Sequence, residues 1–206
     1  MKYVVVMLCA VIGVLAYKLN RQNQTIVSLQ ETVDYLVDFT QHPTIDYGTN
    51  TKLRNKIVKL TYNGIKERDL NELVDSITQY SKEYKISENL VVSVIAQESN
   101  FDRYARSHSG AVGLGQIMPR TAKDIAAELG VKDYDPYSIH DNVRFTAHYL
   151  SKMLKLFGST SLAIKAYNAG PGKVISVLRG QDEYQDETKN YQIRIFEFLS
   201  VLKRFS

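Results

Sequence analysis

From residue 65 to the C-terminus, apolar residues recur at intervals of three and four and never settle into the alternation of a strand. Such spacing belongs to helices, because 3.6 residues per turn bring i, i+3, i+4 and i+7 onto one face. Leu70, Leu73, Val74 and Ile77 form one face, which Tyr80 and Tyr84 extend. The run "KISENLVVSVIAQES" supplies a helix start, with Ser87 as N-cap, Glu88 in the positive first turn and Ile86 placed to staple against Val91. A third helix opens at Pro119 and stops at Gly130. The next carries Ala147, Leu150, Leu154 and Phe157 on one side and ends at Gly158; another covers Leu162 to Tyr167 and breaks at "NAGPG". Ile195, Phe198, Leu199 and Leu202 make a closing amphipathic helix. The expected fold is an all-α domain over residues 65–206.

The preceding residues divide in two. Residues 1–20 hold Lys2 and a charge-free stretch from Tyr3 to Tyr17, shorter than the roughly 20 residues that comfortably span a bilayer. A signal peptide would use Val14 and Ala16 as its small-residue cleavage site. An uncleaved anchor over residues 3–19 would place Tyr17, Lys18 and Arg21 at the interface, and this is the reading taken here. The anchor sets the chain in the inner membrane facing the periplasm or cell wall; the alternatives are an exported soluble or a virion-associated protein. Residues 21–64 read as stalk or linker. Ile26, Leu29, Val33 and Leu36 make a heptad-like stripe, so residues 26–40 are a candidate self-association segment, ended by Pro43 and "PTIDYGTN". Residues 51–63, "TKLRNKIVKLTYN", fit neither helix nor strand, and their basic side chains are expected to be solvated.

Composition removes several function classes. Twenty-six Lys and Arg against 22 Asp and Glu give +4, a mild bias towards anionic partners. Zinc spacing, a P-loop, a dinucleotide fingerprint and an RNA-binding aromatic signature are all missing, which leaves no support for a nucleic-acid or nucleotide partner. None of the four histidines has ligand spacing, so no metal or other cofactor is expected. Cys9 is the only cysteine, which forbids an intrachain disulfide, and no lipoprotein-like box precedes it.

One ionisable group breaks the apolar pattern. Val91, Val94, Ile95 and Glu98 stand at i, i+3, i+4 and i+7, which puts a carboxyl group on an inward face. Burial disfavours the charged form of a carboxyl, and each pKa unit corresponds to about 1.36 kcal/mol. An acid that keeps its proton near neutrality can protonate a departing alkoxide, as glycosidic cleavage requires, an effect typically worth ~10²–10⁴ in rate. The plainer alternative is a Glu at a frayed helix end, turned outward or paired with Arg103 or Arg106. Further on, "SHSGAVGLGQIMPRTA" places Gly110, Gly113 and Gly115 ahead of Gln116 and Met118; glycines admit tight bends and close backbone approach, and Gln116 offers both donor and acceptor. "AYNAGPG" sets Tyr167 and Asn168 beside a Gly/Pro break. Asp102 and Asp124, the other carboxylates considered, read as capping or surface groups.

Taken together, the Glu98-Ser99 pair closing an apolar helix, "SHSGAVGLGQIMPRTA", "HDNVRFTAHYL", "AYNAGPG" and Tyr191 in "ETKNYQIRI" resemble the lytic transglycosylases with a soluble-lysozyme-like, goose-lysozyme-related catalytic domain. Order and intervals agree over residues 66–200, and the first 65 residues lie outside the resemblance. The resemblance implies a lysozyme-like helical domain acting on peptidoglycan glycan strands. Glu98 would protonate the oxygen between N-acetylmuramic acid and N-acetylglucosamine and then, as carboxylate, take the proton from the muramoyl C6 hydroxyl, leaving a 1,6-anhydro end. It also implies that Ser107, Gln116, Met118, Tyr167 and Asn168 contact substrate, that Ser99 secures the helix end and that Tyr191 orients Glu98. For Met118 core filling is the alternative role, and for Tyr191 that of a plain core tyrosine. Gly115 departs from the family, where many members carry methionine, and is expected to widen that part of the groove. His108 stands where a proline is common. Lysozyme-type hydrolysis is one alternative activity; a wall-binding or assembly module of a secretion, conjugation or virion apparatus is another.

Overall fold

The chain is described here by a computed structural model covering residues 49–61 and 64–205, so the expected membrane segment and the stripe at 26–40 lie outside the described residues. Among the described residues the structure is all-α, with eight helices and no strand beyond isolated antiparallel bridges joining Val112 to Arg106 and to Ile117. The helices are α1 (Thr49–Leu60), α2 (Glu67–Tyr84), α3 (Glu88–Ser99), α4 (Pro119–Leu129), α5 (Ile139–Phe157), α6 (Thr160–Ala169), α7 (Pro171–Leu178) and α8 (Asp186–Lys203). None of them is long and apolar enough to cross a membrane.

Local chemistry sets the boundaries. Pro119 opens α4 at a position where its missing N–H costs nothing, and Gly130 closes it in the left-handed region at φ 66°. Ser138 caps α5 by accepting from the Asp141 N–H, and Gly158 ends it at φ 61°. Two segments differ from the sequence reading. Residues 51–60 belong to α1, and although Lys52, Lys59 and other side chains are solvated, Leu53 and Ile57 are fully buried. A basic helix with one apolar side every three to four residues has a weak sequence signal, and packing decides it. The break at "NAGPG" is one residue wide: Gly170, at φ 83°, turns the chain and Pro171 starts α7 at once.

α3 is the axis of the main core. Residues 90 to 96 are all buried, so this helix is enclosed on every side rather than amphipathic. Around it pack Leu53 and Ile57 of α1, Leu70, Leu73 and Ile77 of α2, Val143 and Leu150 of α5, Ile164 of α6, and Ile195 and Leu202 of α8. Each fully buried aliphatic side chain contributes roughly 1.5–3 kcal/mol relative to exposure. Ile117, Ala122, Ile125, Ala126 and Phe145 form a second cluster that seats α4 on α5. A third, of Met153, Ala163, Ala166 and Val174, holds α7 against α5 and α6. Tyr167 borders the first two clusters, which puts the end of α6 at their seam.

Candidate active site

Glu98 occupies the last turn of α3, where the enclosed helix reaches the surface. Its burial therefore follows from its place at the end of a core helix as well as from the face it shares with Val91, Val94 and Ile95. Directly behind it the chain reverses through two left-handed residues, Asn100 at φ 49° and Phe101 at φ 65°. Asparagine tolerates that conformation; phenylalanine does so at a cost of order 1–3 kcal/mol, offset here by burial of its ring in the main core. Ser99 donates its hydroxyl to the Ile95 carbonyl at 3.2 Å, which closes the helix end.

Among the described residues the carboxyl has one hydrogen-bond partner. Tyr191 of α8, 3% exposed, donates its hydroxyl to Glu98 Oε1 at 2.6 Å. Burial pushes the Glu98 pKa up to about 7, and the tyrosine hydrogen bond draws it partly back by favouring the carboxylate. Burial raises the Tyr191 phenol well above its ordinary value and the neighbouring Glu98 adds to this, so the tyrosine remains the donor. Arg103 is committed elsewhere, to the Tyr137 carbonyl at 2.9 Å and to Asp69 at 3.4 Å, and Arg106 is exposed; neither pairs with Glu98. The side chain of Asp102 accepts from the Tyr104 N–H at 2.9 Å in a local turn, and Asp124 is exposed on α4. Among the described residues no second carboxylate acts on the titration of Glu98.

The loop from Phe101 to Met118 is held by its own polar groups. Ser107 exchanges backbone bonds with residues 110 and 111, and its hydroxyl accepts from the Ala111 N–H at 2.9 Å. Gln116 donates its carboxamide N–H groups to the carbonyls of Ala105 at 3.1 Å and Gly113 at 2.9 Å, with its own backbone at φ 48°. These two side chains thus shape the loop first. Met118, 41% exposed at the mouth of α4, is no core filler. Tyr167 donates its hydroxyl to the Gly115 carbonyl at 2.7 Å, and the charge on Glu98 adds to the burial that raises its pKa, so Tyr167 lies between acid and loop. Asn168, the next residue, borders an open polar pocket of about 260 Å³ lined also by Ala169, Lys173, Gln185, Glu187 and Thr188.

Two features are missing from the sequence reading. Glu187 and Thr188 stand four and three residues before Tyr191 on α8, so the pocket lies one helical turn from the residue that holds Glu98. The run "ETKNY" carried that signal in its spacing. Asn142 is the other: its buried carboxamide accepts from Gly115 N–H at 2.8 Å and donates to Val112 O at 3.0 Å and Pro136 O at 2.9 Å. Gly115 itself does not widen a groove. It is buried, and the space a side chain would take is filled by the Thr146 hydroxyl and the tip of Tyr167. A second cavity of about 80 Å³, lined mainly by Val112, Ile117, Ala122, Tyr134 and Phe145, is apolar and lacks Glu98. Among the described residues no three His, Cys, Asp or Glu side chains gather where a metal could sit.

Comparison with known proteins gives a consistent answer. The family described as "Transglycosylase SLT domain" matches residues 75–190. The chain is 34% identical over 105 residues to the soluble lytic murein transglycosylase of Salmonella typhimurium, covering 48% of this chain and 16% of that protein. With the membrane-bound lytic murein transglycosylase C of Salmonella arizonae it shares 28% identity over 157 residues, covering 64% of this chain and 43% of the relative. An inactive glutamate-to-glutamine mutant of the lytic transglycosylase Slt from Pseudomonas aeruginosa superposes with a TM-score of 0.58 at 28% identity, over 63% of this chain and 24% of that one. The chain thus spans less than half the length of each of these proteins.

Proposed function

The chain belongs to the transglycosylase SLT-domain family, and from that premise we propose that it is a peptidoglycan lytic transglycosylase in which Glu98 serves first as acid and then as base. The observation that carries this reading is a half-buried carboxyl, protonated up to about pH 7, gripped by one neutral donor and, among the described residues, without a cationic or carboxylate partner. Protonated Glu98 gives its proton to the oxygen linking N-acetylmuramic acid to N-acetylglucosamine, and the glycosidic bond breaks with its electron pair leaving on that oxygen. The resulting carboxylate takes the proton of the muramoyl C6 hydroxyl, whose oxygen closes on the anomeric carbon; the acid is restored and no water is consumed. A two-carboxylate hydrolase needs a partner acid on the opposite side of the sugar, and among the described residues no carboxylate is hydrogen-bonded to Glu98 or shifts its titration. The Tyr191 bond fixes the rotamer of Glu98 and steadies the carboxylate formed between the two steps.

Around this pair, Met118 and Gln116 face the strand from the loop side, while Asn168 and the polar pocket receive it from the α6–α8 side. Tyr167 closes the space between them. The glutamate-to-glutamine change in the inactive Pseudomonas relative supports a carboxyl-dependent reaction of this kind. We place the chain at the inner membrane facing the wall, on the charge-free stretch from Tyr3 to Tyr17. The deciding experiment is mass analysis of products from isolated cell wall. Anhydro-ended muropeptides, lighter than hydrolysis products by one water and lost in Glu98→Gln, are expected; water-terminated products from the wild-type chain would sink the reading.

A further inference from the structure

A β-carbon built on Gly115 would stand 1.9 Å from Thr146 Oγ1, 3.0 Å from Thr146 Cβ and 2.8 Å from the Tyr167 hydroxyl. These distances lie well inside van der Waals contact, and Gly115 has no left-handed backbone angle to explain the glycine otherwise. Neither side of the contact can give way easily. Thr146 is fully buried on α5, and its hydroxyl donates to the Asn142 carbonyl at 2.8 Å, which fixes its rotamer. Gly115 is pinned through its N–H to the Asn142 carboxamide and through its carbonyl to Tyr167. One residue further along the loop is Gln116, and three further is Met118.

From this we infer that Gly115 and Thr146 interlock, and that Thr146 acts as a positioning residue which sets how deeply the loop bearing Gln116 and Met118 seats against Tyr167 and Glu98. The inference rests on the reaction proposed above and adds to it a determinant lying outside the groove. The interlock is steric, so its signature is a specific rescue. Adding a methyl at 115 forces the loop outwards and breaks the Tyr167 bond to Gly115. Removing the γ-oxygen at 146 takes away the closest clash, at 1.9 Å, and leaves the shorter shift that the Tyr167 hydroxyl at 2.8 Å requires, whereas keeping it and removing only the γ-methyl relieves neither.

The test compares Gly115→Ala, Thr146→Ala, Thr146→Ser and the two double variants by thermal melting, by kcat and KM on a defined muropeptide, and by NMR titration of the Glu98 carboxyl. Gly115→Ala is expected to lower kcat by about tenfold to a hundredfold, the penalty of displacing a site by about 1 Å. Thr146→Ala in the same chain is expected to recover part of it and Thr146→Ser none, a coupling of the size seen between contacting residues. The Glu98 midpoint is expected to fall from near 7 in Gly115→Ala, as water reaches the acid, and to move back towards it in the double variant with alanine. Wild-type kcat in Gly115→Ala, equal rescue by serine and alanine, or recovery of melting temperature without recovery of kcat would each overturn the interlock. Should the wild-type chain release no anhydro products, the enzymatic reading falls separately, and the Glu98 titration across the five variants still decides the interlock.

Discussion

At the scale of single residues, the Glu98 carboxyl couples chemistry to stability. Its pKa is raised from an ordinary 4.5 to about 7 by burial, so the folded chain holds a proton there that the unfolded chain has given up. The stabilisation tied to that proton is complete below the ordinary value and is lost as pH rises through about 7, a swing of roughly 3 kcal/mol. Glu98→Gln, which keeps the shape and discards the charge, is therefore expected to melt higher than wild type at pH 8. The difference should shrink to nothing below about pH 4.5, as melting curves across the range would show. Tyr191→Phe moves the same group further in the same direction. Without the hydroxyl that favours the carboxylate, the Glu98 midpoint rises further and the alkaline limb of the rate profile shifts to higher pH, with a lower kcat from lost orientation.

Among the elements, α1 and α3 show what the pattern of residues discloses and what it conceals. The four-residue rhythm of α2, the caps at Gly130 and Gly158 and the Pro119 start were legible because each states a local preference that the fold keeps. Glu98 was legible because a carboxyl at the end of an apolar run contradicts its surroundings. α1 was not: its apolar residues are thinly spread among lysines, and only packing against α2 and α3 makes Leu53 and Ile57 a core face. Nor could sequence place Asn142 under the loop or show that the gap at Gly115 is filled, since both depend on how α5 crosses behind it. Ile57→Ala should cost about 2–5 kcal/mol in denaturant unfolding, the range for a buried aliphatic truncation. If the steric interlock on α5 holds, a solved relative with a side chain at the position matching Gly115 will lack a γ-oxygen at the position matching Thr146, which superposition can check.

The molecule as a whole is larger than its recognisable part. The family match ends at residue 190, yet Tyr191, Ile195 and Leu202 lie beyond it, and Leu53, Ile57, Leu70 and Leu73 lie before its start at residue 75. A fragment restricted to 75–190 would lose these members of the main core and the donor to Glu98; it is expected to melt without a cooperative transition, followed by circular dichroism. That the partner of the reactive acid sits 93 residues downstream, on the last helix, has a biological corollary. Until that helix docks, Glu98 lacks the hydroxyl that orients it and the part of the main core that Tyr191, Ile195 and Leu202 supply. Under the function proposed above, the working environment of the acid is complete only once residues far apart in the chain have met, so competence follows tertiary packing and not the local turn that carries Glu98.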